Sequence, residues 1–351
     1  MHKKIFYFLT GIAFATGAIS ADAQDSVASI PEGMITFNIQ NGSTSYLSLP
    51  LTNDTVYTGA VTAVTDSSIS VGDLPAPFTT SLAAPGLPYF VKFLSGSEMG
   101  RVLLVTANTT SSLTLDTTDH TSGSPVFLTT PAFAVEVGDT FEIFPGDTLA
   151  SVFGAASAQN PLLLTGAPHE GNADTISIIT ESGTPTLTYY YNTTAGYWEQ
   201  QGTTVSANNV IIYPYSALTI RVRSNHPDAT LVLSGRVTPV QAQTKVVGNR
   251  TVYTSTHYAA DVALSQLQFG SNWVTGASAG SADKLSVWNA ARNNFDTYYQ
   301  KPDSTWRKTS DANTDASGFT IAAGSVTTIT KRNIVSGAGT FLQSPLPYSL
   351  E

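Results

Sequence analysis

Ala173-Asp174-Thr175-Ile176-Ser177-Ile178 returns as Ala282-Asp283-Lys284-Leu285-Ser286-Val287, 109 residues further along the chain. The same spacing relates Thr188-Tyr189-Tyr190 to Thr297-Tyr298-Tyr299, and the run Ser216 to Arg223 to the run Ser325 to Arg332. Trp198 and Trp306 follow the tyrosines in each copy, here 108 residues apart. With slips of one residue the match reaches outward, pairing Thr165-Gly166 with Thr275-Gly276 and Thr230 to Ser234 with Thr340 to Ser344. A constant offset held over about fifty residues marks an internal duplication. Within each copy, two apolar residues flanking a serine turn one strand face inward. A tyrosine hairpin adds aromatic cross-strand pairs. A copy of roughly 100 residues is the size of one β-sandwich domain.

The chain around the repeat also reads as strands, in runs of four to eight β-favouring residues broken by Gly, Pro, Asn, Asp and Ser. Ile35–Ile39, Tyr46–Leu51, Tyr89–Leu94, Arg101–Thr106 and Leu113–Asp116 are such runs, as are Thr140–Ile143, Val210–Tyr213, Leu218–Arg223 and Thr230–Leu233. Leu94-Ser-Gly-Ser-Glu-Met-Gly100 reads as a hairpin connection whose glycines supply positive φ. Helical periodicity is scarce; Asp147 to Gly154, with Asp147 as N-cap and Gly154 as stop, is the best short helix. The expected fold class is all-β, with two tandem β-sandwich-like modules preceded by a small β-meander or barrel. The divisions expected are a signal peptide at 1–23, the meander or barrel at 24–145, and sandwich modules at 146–240 and 241–351. Residues 25–145 lack the repeated module, and an insertion into the first sandwich near Leu51 is the alternative placement for them. Pro239 to Gly248 reads as a linker.

His2-Lys3-Lys4, an apolar run from Ile5 to Ile19 and Ser20-Ala21-Asp22-Ala23 have the order of a secretory leader cut before Gln24. The apolar run is shorter than the ~20 residues of a membrane-spanning helix, and no later segment is long or apolar enough to span. The expected location is therefore outside the cytoplasm: cell surface, periplasm or extracellular space. The chain has no cysteine, so export brings no disulfides. The formal net charge is −9, and losing Lys3, Lys4 and Asp22 with the leader makes it −10. That sign disfavours nucleic acid and anionic lipid, which both call for a basic face.

The motifs that suggest chemistry are weak. Gly276-Ala-Ser278-Ala-Gly280 fits a nucleophile elbow in letters, but a strand follows it where the elbow needs a helix. Asp311-Ala-Asn313-Thr-Asp315 alternates oxygen ligands as a calcium loop does. Ala316 and Ala322 stand where that loop wants Gly and a carboxylate. Asp311, Asn313 and Asp315 are thus a weak calcium candidate, and a solvated turn is the default. His120, His169, His226 and His257 show no metal-pair spacing. The aromatic runs carry the ligand-binding candidates, Tyr191, Trp198 and Trp306, as sugar-stacking platforms. Neighbours on a strand point to opposite faces, so each tyrosine run should send a ring outward. Tyr191 has Gln300 as its counterpart, so the core need not demand an aromatic there.

Gly138-Asp-Thr-Phe-Glu-Ile143, Asp147 to Gly154, Ala173 to Ile178, Tyr189-Tyr-Tyr191 and Ser95-Gly with Gly100-Arg101 resemble an uncharacterised family of secreted, paralogous bacterial β-proteins of verrucomicrobial type. The resemblance spans nearly the whole mature chain and implies export and β-architecture, with no activity, catalytic residue or cofactor to carry over. The expected function is a non-catalytic envelope or extracellular structural and interaction protein that assembles with itself or with other surface proteins. The alternative is a carbohydrate-binding β-sandwich protein that meets glycans through exposed aromatics. A secreted hydrolase ranks third. No cofactor is expected.

Overall fold

The computed structural model describes residues 31–119, 124–130, 134–179, 186–246, 251–270, 272–332 and 340–348. The expected leader and His120 lie outside the described residues. The described chain is nearly all β, with one short α-helix among many antiparallel strands. No helix among them is long and apolar enough to cross a membrane, which says nothing of strands.

Three sheets organise the chain. A seven-stranded sheet runs in the order Tyr57–Ala60, Thr140–Pro145, Tyr89–Phe93, Val102–Asn108, Ser112–Leu115, Ser68–Ser70 and Ala63–Val64. Its two outermost strands are neighbours in sequence, with only Val61 and Thr62 between them. The sheet must therefore curl toward itself, and it forms a half-barrel around Val91, Phe93, Phe141 and Ile143. The connection from 94 to 101 turns as expected, with Gly96 at φ +78° and Gly100 at φ +87°. At Gly100 a side chain is also excluded by the Gln241 carbonyl oxygen.

The second sheet has the order Tyr197–Gln200, Thr186–Asn192, Thr175–Ile179, Ala217–Arg221 and Thr44–Ser48. The third has the order Trp306–Lys308, Asn294–Gln300, Lys284–Asn289, Thr327–Thr330 and Thr251–Thr254. The strands match one for one, and where both lie in the repeat they fall at its offset. Each sheet is backed by a smaller layer in which Glu32–Ile39 pairs with Ala229–Arg236, or Ala242–Val246 with Thr340–Ser344.

Thr44–Ser48 and Glu32–Ile39 thus belong to the sheets around 175–236, and the half-barrel at 57–145 falls between strands of that arrangement in sequence. The stretch read as a linker from Pro239 contains the strand Ala242–Val246, whose partner strand, Thr340–Ser344, comes from the end of the chain.

The helix spans Leu149–Phe153, with Thr148 rather than Asp147 as its N-cap. Thr148 and Ser151 satisfy each other's backbone amides, closing a capping box. Asp147 lies one residue outside the cap and accepts from Ser151 Oγ at 3.2 Å. Gly154 ends the helix at φ +91°, against the Pro161 carbonyl.

Candidate functional site

The repeated Ala-Asp pair is a structural staple. Asp174 Oδ2 accepts the Thr165 amide at 2.9 Å and Asp174 Oδ1 the Arg223 amide at 2.9 Å. Asp283 repeats this with the Val274 amide at 2.8 Å and the Arg332 amide at 2.7 Å. Each buried carboxylate therefore ties the entry of a central strand to the exit of its neighbour. The compensating groups differ: His226 Nδ1 lies 2.7 Å from Asp174, and Lys331 Nζ lies 2.8 Å from Asp283.

The predicted sugar platforms are core residues. Trp198 and Trp306 are 0% exposed and Tyr191 is 4% exposed. Tyr191 and Phe153 pack edge-on to Trp198, with centroids 5.7 and 6.2 Å away. Trp306 instead has Phe269 and Trp273 beside it, at 5.9 and 6.2 Å, so it has aromatic neighbours although Gln300 stands at the counterpart of Tyr191. Neither face of these rings is open to a sugar, so stacking on Tyr191, Trp198 or Trp306 is excluded. Tyr190 does point to the other sheet face, but it too is covered, its hydroxyl donating to Glu199 at 2.7 Å.

The calcium candidate is an exposed turn in which one carboxylate oxygen each of Asp311 and Asp315 already accepts hydrogen bonds. Asp311 Oδ1 accepts from the amides of Asn313 and Thr314, and Asp315 Oδ1 accepts from Ser317 while lying 3.2 Å from Arg307. No group of three potential ligand side chains converges among the described residues. Ser278 sits in an exposed turn closed by Ser281, and His169 precedes the 3-10 turn Glu170–Asn172 without capping it.

A site that sequence reasoning missed lies where the half-barrel meets both five-stranded sheets. Strand Tyr89–Phe93 is buried throughout, because Tyr89, Val91 and Phe93 face the barrel core while Phe90 and Lys92 face outward under other elements. Phe90 packs on Phe144 and Tyr213. Glu142 stands opposite Lys92 in register and receives Thr55 Oγ1 at 2.6 Å and Arg236 Nη1 at 3.1 Å, with Lys92 Nζ 3.7 Å away. Burial lowers the Lys92 pKa to about 8 despite Glu142. Lys92 Nζ donates to Tyr215 Oη at 3.2 Å. The Tyr215 hydroxyl is pushed well above its ordinary range by burial and by the Glu142 charge.

Tyr215 stacks on His257, with centroids 4.4 Å apart and planes 17° from parallel. His257 Nε2 lies 2.6 Å from Thr244 Oγ1 and 3.3 Å from Thr254 Oγ1, while Nδ1 has no partner among the described residues. Burial and the nearby Lys92 charge lower the His257 pKa to about 3, so the ring is neutral. Both residues are left-handed, at φ +66° and +65°. That conformation costs a non-glycine residue about 1–2 kcal/mol. Strain of this kind gathers where surrounding structure holds it for a purpose.

Tyr215 and His257 form part of the wall of a cleft of about 350 Å3. Leu104 from the half-barrel and Ile178, Leu187 and Ile211 from the first copy supply apolar surface. Polar groups interrupt it at Asp116, hydrogen-bonded to Tyr213, and at Arg101, paired with Glu98 at 2.6 Å. The sequence did hold one signal for this site. Tyr215 aligns with Gly324 at the repeat offset, and Gly324 has φ +68°. A glycine at the equivalent corner foretells a left-handed turn. No family model, curated protein or solved structure matches this chain.

Proposed function

We propose that the chain is an exported, non-catalytic binding protein, built on a tandem duplication, that seats a compact apolar ligand bearing one or two hydrogen-bonding groups in this cleft. The carrying observation is Tyr215: the fold makes the same corner with Gly324 in the second copy, yet the first copy keeps a strained tyrosine on the cleft wall. An apolar concavity with a few placed polar groups is the usual form of a small-molecule site. The non-catalytic reading is supported by how the ionisable groups are committed. Asp116 is taken by Tyr213, Glu98 by Arg101, and neutral His257 rests on two threonine hydroxyls. Export rests on the leader read in residues 1–23, and kinship with secreted paralogous β-proteins on the segments quoted above. Self-association or docking to other surface proteins is compatible with the same site.

The test is a titration of the purified chain with the neutral dye N-phenyl-1-naphthylamine. Wild type should give saturable fluorescence enhancement. Leu187→Arg, at the partly exposed lip of the cleft, should abolish it, and Val205→Arg, exposed and outside the cleft, should not. Equal enhancement in the Leu187→Arg variant would overturn the assignment.

A further inference from the structure

The outer face of the first copy's sheet carries a second concavity, a trough of about 430 Å3, unlike the cleft in chemistry. Its surface is hydroxyl: Ser177 and Thr188 lie 2.9 Å apart across two strands, with Thr175 and Thr219 beside them. The turn Glu170–Asn172 rises over the sheet and is held there by Gln201 Nε2, which donates to Glu170 Oε1 at 3.1 Å. Arg221 and Arg223 complete the lining. Arg223 Nε is anchored on the Ala173 carbonyl at 3.0 Å, whereas exposed Arg221 has no ion-pair partner among the described residues. An acidic protein thus keeps an uncommitted guanidinium over a bed of hydroxyls.

The second copy serves as an internal control. It repeats the hydroxyl pair as Ser286 and Thr297, again 2.9 Å apart. Thr330 stands where the first copy has Arg221, and Thr309, whose amide reaches the Thr297 carbonyl as that of Gln201 reaches Thr188, replaces Gln201. There Ser286 and Thr328 are buried, while Ser177 and Thr219 are partly exposed. The sheet therefore forms without Arg221 or Gln201, and their presence in the open copy is not a demand of the fold.

We infer that this trough binds an acidic saccharide, with the anionic group on Arg221 and the sugar hydroxyls on Ser177, Thr188, Thr219 and Gln201. A planar guanidinium fork matches a carboxylate or sulfate through two parallel N–H donors. Serine and threonine hydroxyls both donate and accept, as a polyol requires. No exposed aromatic ring enters the scheme, so it is independent of the excluded stacking platforms and of the cleft ligand.

Calorimetric titration of the whole purified chain tests the inference with four probes: trigalacturonate, sulfated maltotriose, maltotriose and tricarballylate. At least one acidic sugar should bind, and which one distinguishes carboxylate from sulfate. Maltotriose and tricarballylate should bind at least tenfold more weakly. Arg221→Ala should lower the acidic-sugar affinity at least tenfold with an unchanged melting temperature, and Arg221→Lys should keep part of it. Absence of binding by both acidic sugars at millimolar concentration would overturn the inference. So would equal affinity for maltotriose or for tricarballylate, the latter marking bare charge attraction, or full affinity in Arg221→Ala.

Discussion

Tyr215 and Gly324 occupy the same corner of two matching sheets, at φ +66° and +68°, and only the first carries a side chain. That ring stacks on His257 and its hydroxyl accepts from buried Lys92. Tyr215→Phe keeps the stack and removes the acceptor, leaving the Lys92 ammonium with Glu142 at 3.7 Å. A buried donor stripped of its partner costs about 1–3 kcal/mol. Urea denaturation should give an unfolding free energy lower by that amount, with the midpoint lowered in proportion through the m value, and an unmoved midpoint would show that the hydroxyl contributes nothing.

The two aspartate staples differ in what their loss would strand. Asp283→Ala removes one partner of an ion pair whose two side chains are wholly buried, leaving Lys331 Nζ with the Asn272 carbonyl, and breaking a buried pair this way costs about 3–5 kcal/mol. Asp174→Ala strands His226, whose side chain is 12% exposed and can turn to water. Both variants lose two amide acceptors, so both should melt earlier. The Asp283 variant should melt earlier still; the reverse order would contradict this account of the pair.

Acid should act on the cleft through His257. Its folded pKa lies near 3, below the ordinary 6.5, so the unfolded chain binds the extra proton between those values. Stability should then fall as pH drops below 6.5, by at most about 1.4 kcal/mol per pH unit from this one group. Asparagine tolerates the left-handed backbone, so His257→Asn should flatten the loss between pH 6.5 and 5 in urea unfolding. An identical slope in both proteins would remove His257 as its source.

The buried tryptophans should behave as core. Trp198→Ala or Trp306→Ala should cost about 3–5 kcal/mol of stability. Calcium should leave the melting temperature unchanged, because one carboxylate oxygen each of Asp311 and Asp315 is engaged within the turn and no three ligand side chains converge there among the described residues. A calcium-dependent rise in melting temperature would restore that turn as a metal site.

Much of the architecture was legible because strands advertise themselves locally. The strands Tyr89–Phe93 and Val102–Asn108 fall on the runs read at Tyr89–Leu94 and Arg101–Thr106, and the glycines at 96 and 100 turn where a hairpin was read. The helix cap missed by one residue because Thr148 and Ser151 form a reciprocal pair that Asp147 alone cannot. The aromatic reading failed for a different reason. Alternation does send Tyr190 away from Tyr189 and Tyr191, but whether the far face is wet depends on what packs there, and alternation carries no such information. Lys92, Tyr215 and His257 were invisible because they meet across long separations of sequence. Only the Tyr215–Gly324 alignment held a local trace of that site.

The half-barrel's place in the chain also governs the order of assembly. The five strands of the last sheet come from residues 251–330 without interruption, so that sheet can close from one continuous piece. Thr44–Ser48 must instead wait for Ala217–Arg221, and Glu32–Ile39 for Ala229–Arg236, across the whole half-barrel. Lengthening a loop adds little to the free energy of closing it, but it slows the search. Until that search ends, two early strands present bare edges of the kind that recruit wrong partners. Until 217–236 dock on them, these two early strands are therefore the part of the chain most open to wrong pairing.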